Sequence, residues 1–274
     1  IMARIFGNAL AEKLEVPVVI KNTTGAGGEI GMAEVATAAP DGYKLVIINT
    51  PNVLTIPIER SAGFAPESFE LLGTIADDPA TLSVKASGDI GSIGDLVAAA
   101  KAAPGTVTFG SAGVGSAGHI AMLLLEQAAG IKGVNVPYEG TAAVRTALLN
   151  GDVKVATANL GEALTFAKGT DWKILGVMAS ERVASQPDLP TFAEAGLPII
   201  GGSLRGLGVP KGTPAGIVEK LRAAMAEVMR DEAFLAASAD ALVPVRYLDA
   251  TAYAAELEQA SSALRALWAS SPWK

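Results

Sequence analysis

The feature that most constrains the fold is a glycine-rich segment near the middle of the chain, residues 106–119, which reads TVTFGSAGVGSAGH. Its first four residues are β-formers, and Ser116 can cap a following helix whose apolar residues recur at helical spacing. A strand, a loop of small residues and a helix start together present several backbone N–H groups at the positive end of the helix dipole. The sequence therefore predicts an α/β unit with an anion site at this loop.

The rest of the chain alternates strands with helices, which indicates α/β construction with parallel strands. The predicted strands cover residues 16–21, 45–48, 69–75, 80–84, 106–109, 134–137, 153–158, 173–178 and 243–248. The predicted helices lie in residues 1–14, around Met32, in 92–103, after Ser116, in 142–149 and 160–167, after a Thr213 cap, and in 250–268. Residues 187–214 are rich in Pro and Gly and are predicted to form a linker or domain crossover.

Composition excludes several classes of function. A net charge of −7 with only 18% charged residues argues against binding nucleic acid or an acidic membrane surface. The chain has no cysteine and a single histidine, His119, so thiol catalysis and histidine-rich metal sites are not available. The adjacent Asp77 and Asp78 precede Pro79, and we interpret them as a solvated turn rather than a catalytic pair.

The glycine-rich loop has two functional interpretations besides a simple structural turn. Residues 113–118 match the dinucleotide fingerprint G-x-G-x-x-G, with Glu139 about twenty residues further on. However, three residues separate the strand from the first glycine, and the hydroxyls of Ser111 and Ser116 suit a compact carboxylate at least as well. A Rossmann-type NAD(P)-dependent oxidoreductase is therefore the alternative to a carboxylate-binding protein.

The chain begins at Ile1, without an initiator methionine, inside an apparent helix that nothing caps. We expect an upstream piece, including a signal peptide that has been removed.

The order of several short motifs resembles one family. The motifs are Gly25-Ala26-Gly27-Gly28 with Ile30-Gly31, Pro40-Asp41-Gly42-Tyr43, Gly110-Ser111-Ala112-Gly113 through His119, Val136-Pro137-Tyr138 with Gly140, Leu148-Leu149-Asn150-Gly151, Pro187-Asp188-Leu189-Pro190-Thr191 with Glu194-Ala195-Gly196, and Pro210-Lys211-Gly212-Thr213-Pro214. Together they resemble the Bug or TctC-type receptors, the extracytoplasmic solute-binding proteins of tripartite tricarboxylate transporters. Each motif is weak alone, but seven in this order are specific.

The resemblance implies a two-lobed periplasmic-binding-protein-like fold of type II, with parallel-rich sheets flanked by helices. We expect residues 1–103 and 205–274 to form one lobe and residues 104–204 the other, with hinges near 103–106 and 202–206. In such receptors a glycine-rich loop from each lobe holds the ligand's carboxylate. The second loop matches Ser111–His119, and the first would precede Ile1.

The resemblance also implies a function: capture of a small mono-, di- or tricarboxylate in the periplasm and its delivery to membrane transporter subunits. We expect a monomer without catalysis, cofactor, metal or nucleic acid; a ligand-sensing or interaction module is a further alternative. His119, Asn159 and Arg205 each have a purely structural interpretation as well. The candidate ligand-binding residues are Thr50, Asn52, Ser111, Gly113, Gly115, Ser116, His119, Tyr138, Thr141, Asn159 and Arg205.

Overall fold

The computed structural model describes residues 1–273 as a mixed α/β protein, which confirms the predicted fold class. Within this range the α-helices are α1 (Met2–Leu14), α2 (Glu29–Ala36), α3 (Asn52–Glu59), α4 (Ile93–Ala102), α5 (Ala117–Ala129), α6 (Thr141–Asn150), α7 (Leu160–Ala167), α8 (Ala215–Val228), α9 (Glu232–Asp240) and α10 (Ala250–Ser270). The strands are β1 (Val46–Asn49), β2 (Phe69–Val84), β3 (Thr108–Ser111), β4 (Val134–Pro137), β5 (Val155–Asn159), β6 (Lys173–Val177) and β7 (Gly202–Pro210). None of the helices in residues 1–273 combines the length and apolar character that a membrane span requires.

The chain divides into two compact units. Unit 1 contains Ile1–Asp77 and Leu204–Pro272, and unit 2 contains Asp78–Ser203 together with Trp273. The second boundary lies one residue from the predicted one, but the first lies between residues 77 and 78 instead of 103 and 104. Residues 78–103 belong to unit 2 because the second half of β2 pairs with β5 and β6, both of which lie in that unit. The segment 103–106, predicted as a hinge, therefore lies inside unit 2.

Unit 1 has a core built from helices packed on β1, β7 and the first half of β2. β1 pairs antiparallel with β7, so that Val46 lies opposite Gly208 and Asn49 opposite Arg205. Helix α1 packs against α8 through its apolar face, and the Phe6 ring meets the Phe234 ring edge-on at 5.9 Å between centroids. The buried core residues of this cluster are Phe6, Leu10, Leu72, Ile75, Leu207, Val209, Val218, Leu221, Ala224, Met225, Val228, Met229 and Phe234.

Unit 2 is organised around β3. β4 and β5 lie on either side of it and run parallel to it, with Phe109 aligned with both Asn135 and Val155. The second half of β2 pairs antiparallel with β5 and with β6. The prediction of parallel strands is thus correct for β3, β4 and β5, which are neighbours joined by helices, and wrong for β1, β2 and β6, which pair antiparallel. Helix α7 carries the chain from β5 past β2 to β6, so β5 and β6 are not neighbours.

The two predicted strands around Asp77 and Asp78 form one continuous strand, β2, and the solvated turn is a wrong prediction. The Asp77 carboxylate accepts a hydrogen bond from Arg246 at 2.8 Å. Asp78 is only 3% exposed, and its Oδ1 accepts the backbone N–H of Gly161 at 3.2 Å. Partners distant in sequence thus allow both carboxylates to lie within a strand.

Four further features differ from the prediction. Residues 16–21 carry β-branched side chains but form no ladder, and within residues 243–248 only Val245 forms a β-bridge, with Ala76. The predicted linker 187–214 contains β7. Helix α8 begins after Pro214 rather than after a Thr213 cap, since the Thr213 hydroxyl donates to the Pro210 carbonyl.

Candidate functional site

The carboxyl ends of β3, β4 and β5 form one edge of unit 2. α5 connects β3 to β4 on one side, and α6 then connects β4 to β5 on the other side, so the strand order reverses at β3. In open α/β sheets, ligands bind outside the carboxyl ends of the strands at such a reversal. Three helices, α5, α6 and α7, begin at this edge.

The start of α5 presents hydrogen-bond donors without a negative charge. Ser116 is its N-cap, as predicted, and the Ser116 hydroxyl oxygen accepts the His119 N–H at 3.3 Å. The hydroxyl proton of Ser116 remains available to a ligand. The amides of Ala117 and Gly118 lie in the first turn, where a helix supplies no carbonyl partner, and this turn has no acidic residue. These free donors, without a nearby negative charge, favour the binding of an anion at the start of α5.

His119 fixes the loop that precedes α5. Its imidazole is 4% exposed, and Nδ1 accepts the backbone N–H of Gly115 at 3.2 Å. Because an acceptor nitrogen carries no proton, the neutral ring carries its proton on Nε2. Burial lowers the pKa of His119 below its ordinary value of 6.5, while the Glu126 carboxylate acts in the opposite direction. His119 is therefore neutral at pH 7 and positions the loop.

This arrangement predicts a pH effect on stability. Since the folded-state pKa of His119 is lowered, the unfolded chain binds the extra proton first, and the free energy of unfolding falls as the pH drops through about 6.5. Above that value the contribution of His119 is constant. Because the chain has one histidine, a single imidazole resonance reports the titration by NMR, and we expect its midpoint below 6.5. A midpoint at or above the ordinary value would contradict the buried, hydrogen-bonded ring.

Helix α5 lies unusually close to β5. A Cβ built on Gly118 would lie 1.9 Å from Oγ1 of Thr157, whose hydroxyl donates to the Gly110 carbonyl at 2.9 Å. Ser111, fully buried at the end of β3, donates its hydroxyl to the Gly113 carbonyl at 3.3 Å. Gly118 therefore gives the close helix–strand contact that the third glycine gives in the dinucleotide fingerprint.

The start of α7 already has a carboxylate bound to one of its backbone N–H groups. The Asp78 carboxylate accepts the N–H of Gly161, the second residue of α7, at 3.2 Å. Asn159 is the N-cap but makes no side-chain cap bond; its amide instead donates to the Ser203 hydroxyl at 2.8 Å. A buried carboxylate at this helix start takes the place that a bound anion would otherwise fill.

The start of α6 carries a different polar pair. Thr141, its first residue, donates its hydroxyl to Oε1 of Glu162 in the first turn of α7, at 2.6 Å. Tyr138 follows β4, and its N–H donates to the Ser111 carbonyl at 2.8 Å. The structure thus brings eight of the predicted ligand residues to this edge of unit 2: Ser111, Gly113, Gly115, Ser116, His119, Tyr138, Thr141 and Asn159.

The other three predicted residues lie together in unit 1, after β1 and near the start of β7. The Thr50 hydroxyl donates to the Leu204 carbonyl at 2.5 Å. Asn52 donates its amide to the Gly27 carbonyl at 3.0 Å, and its Oδ1 accepts from Asn49 at 3.4 Å. Arg205 pairs with Asn49 in the strand register.

Two polar side chains at the unit 2 edge, Thr157 and Glu162, were not predicted from the sequence, and Asp78 was predicted in a solvated turn instead of at this edge. Thr157 lies inside a strand, where nothing in the sequence distinguishes it from a packing residue. Glu162 carried a usable signal, because an acidic residue directly after a strand end and in the first turn of a helix is placed at the carboxyl edge of the sheet.

Comparison with known proteins identifies relatives along nearly the whole chain. The family model described as the tripartite tricarboxylate transporter family receptor, TctC, matches residues 2–266. Protein BugT of Bordetella pertussis is 29% identical over 243 residues, which cover 87% of this chain and 74% of that protein.

Two solved structures share the fold. Rpa4515 of R. palustris, solved with adipate, is 27% identical with a TM-score of 0.90, and the match covers 97% of this chain and 90% of that one. MatC (Rpa3494) from Rhodopseudomonas palustris, solved with bound malate, is 25% identical with a TM-score of 0.85, covering 97% and 92%. The matched family consists of receptors, which favours the receptor interpretation over the dinucleotide-dependent enzyme. The chain belongs to the TctC family of tripartite tricarboxylate transporter receptors.

Proposed function

We propose that this chain is a periplasmic receptor that captures a small organic carboxylate and delivers it, chemically unchanged, to a tripartite tricarboxylate transporter. The observation that carries the proposal is the start of α5. It lies where the strand order reverses, it is capped by a neutral hydroxyl, and its first turn has no acidic residue. Adipate and malate in two structural relatives are both carboxylates.

The donors at α5 are sufficient for a receptor that must release its ligand. A hydrogen bond to a charged group contributes about 1.5–3 kcal/mol, and a helix N-terminus adds about 0.3–1 kcal/mol. The Ser116 hydroxyl with the amides of Ala117 and Gly118 would therefore approach the roughly −8 kcal/mol of a micromolar complex.

The remaining features of the proposal follow from the family and from charge. The function of the family supports delivery to a transporter and a periplasmic location. A net charge of −7 disfavours nucleic acid as a partner, and we propose that the receptor acts as a monomer. Thr50, Asn52 and Arg205, which lie in unit 1, are further candidate ligand residues.

Replacing Ser116 with alanine tests the proposed site. We expect a loss of about 1 kcal/mol of stability from the missing cap and at least a tenfold loss of affinity for carboxylates, because the ligand loses a hydroxyl donor. Affinity is measured by calorimetry with a panel of mono-, di- and tricarboxylates, and stability by urea unfolding.

Ser92→Ala is the matched control. Ser92 caps α4 in the same way, with its hydroxyl oxygen accepting the Asp95 N–H at 3.1 Å, but it lies outside the edge where β3, β4 and β5 end. We expect the same loss of stability and unchanged affinity. Equal affinities in both variants would show that the start of α5 does not hold the carboxylate.

A further inference from the structure

The three helix starts at the edge of unit 2 differ in charge. α5 has a neutral cap and no acidic residue in its first turn. α7 is occupied by the Asp78 carboxylate. At the start of α6, the Thr141 hydroxyl is tied to the carboxylate of Glu162. This edge therefore offers one place for an anion and, on the α6–α7 side, a negative charge.

Glu162 has unused acceptor capacity. Its Oε1 accepts the Thr141 hydroxyl at 2.6 Å, and the bond is partly buried. Its Oε2 has no hydrogen bond or ion pair within residues 1–273. A carboxylate oxygen held beside the carboxyl edge of a sheet attracts a hydrogen-bond donor or a cation.

The cation nearest to Glu162 along this helix pair, Arg145, contacts an aromatic ring instead of the carboxylate. Arg145 lies one turn after Thr141 on α6, and Phe166 lies one turn after Glu162 on α7. The Arg145 guanidinium lies over the Phe166 ring, 5.7 Å from its centroid, and makes no ion pair with Glu162. The Glu162 carboxylate therefore has no ion-pair partner on α6 or α7.

We infer that Glu162 selects the ligand class: the carboxylate bound at α5 belongs to a molecule whose far end carries an ammonium or hydroxyl group rather than a second carboxylate. A donor at that end pairs with Oε2 of Glu162, whereas a second carboxylate meets a like charge. The inference rests on the proposed function, since it takes the ligand's first carboxylate to lie at the start of α5.

Matched ligands of equal length test this selection. Calorimetry compares 4-aminobutyrate with succinate, 5-aminopentanoate with glutarate and 6-aminohexanoate with adipate, each pair differing only in its terminal group. We expect the amino acid to bind at least tenfold more tightly than the dicarboxylate at the length that fits best. Dicarboxylates that bind as tightly as their amino partners, or more tightly, would overturn the inference and leave the proposed function standing. If no carboxylate of any class binds, the proposed function itself fails.

Glu162→Gln separates the charge from the local structure, because its amide oxygen still accepts the Thr141 hydroxyl. We expect the amino acid to lose at least tenfold in affinity and the unsubstituted monocarboxylate of the same length to change less than twofold. Glu139→Gln is the control, since it removes the same charge from the exposed loop between β4 and α6. A preference for amino ligands that survives Glu162→Gln, or one that falls equally in Glu139→Gln, would contradict a role for Glu162.

Discussion

Replacing Gly118 with alanine is expected to lower the free energy of unfolding by about 3 kcal/mol, near the upper end of overpacking costs. The new methyl group would lie 1.9 Å from Oγ1 and 2.7 Å from Cβ of Thr157. Neither atom can move freely, because the Thr157 hydroxyl is bonded to the Gly110 carbonyl within the sheet. Helix α5 must therefore shift away from β5. The change is measured by urea unfolding.

Gly216→Ala is a close control for this change. Gly216 is the second residue of α8, just as Gly118 is the second residue of α5, and both follow an alanine. A Cβ on Gly216 meets nothing within 4 Å. Alanine is favoured over glycine in a helix by about 0.5–1 kcal/mol, so this variant should be slightly more stable than the parent. Similar effects at the two positions would show that α5 does not depend on its close contact with β5.

Replacing Gly115 with valine is expected to lower carboxylate affinity at least thirtyfold, or about 2 kcal/mol. Gly115 has φ 69°, a left-handed conformation that a β-branched residue adopts poorly. If the backbone leaves this conformation, the N–H of Gly115 loses its bond to His119, and the Ser116 hydroxyl and the α5 amides lose their alignment. Calorimetry with the same carboxylates measures the effect.

Gly105→Val is the control, because it places valine at another glycine with a left-handed backbone conformation, away from the proposed site. Gly105 has φ 73° and open space around its Cα, and it lies in the turn before β3, at the opposite end of that strand from the loop. Both valine variants should lose about 1–2 kcal/mol of stability, but only Gly115→Val should lose affinity. Equal affinities in the two variants would exclude the loop at Gly115 as part of the binding site.

The elements that sequence predicted well are those whose signals are local. Helix α5 has its serine cap and its apolar spacing within a single stretch, and α7 lies at Leu160–Ala167 as predicted. The prediction of a strand at residues 16–21 was wrong because strand formation does not depend on local signals alone. The β-branched composition of this segment is favourable, but a ladder also requires a neighbouring strand, which composition does not supply.

Strand β7 was not predicted because its glycines were interpreted as part of a Pro- and Gly-rich linker or domain crossover. Gly206 lies against the ring of Tyr253, where an added Cβ would be 2.2 Å from Cε1, and Gly208 lies against Ile48 at 2.6 Å from Cδ1. These glycines permit close packing inside unit 1. Only the three-dimensional structure reveals this role, because the residues that require it are distant in sequence.

The predicted site residues came together within each unit because several follow the same strand ends. Their roles were less predictable. His119 positions the loop through Gly115, and Asn159 bonds to Ser203. Sequence spacing identifies the edge of the sheet on which a side chain lies, but not the hydrogen-bond partner that it takes there.

The most direct test of carboxylate capture at α5 is an NMR titration of the backbone amides with a binding carboxylate. We expect the largest shifts at Ser116, Ala117 and Gly118, and we expect them to saturate with the calorimetric affinity. The corresponding amides at the start of α4, from Ser92 to Gly94, should remain unchanged. Saturable carboxylate binding with the largest shifts elsewhere, and none at α5, would contradict carboxylate capture at this helix start.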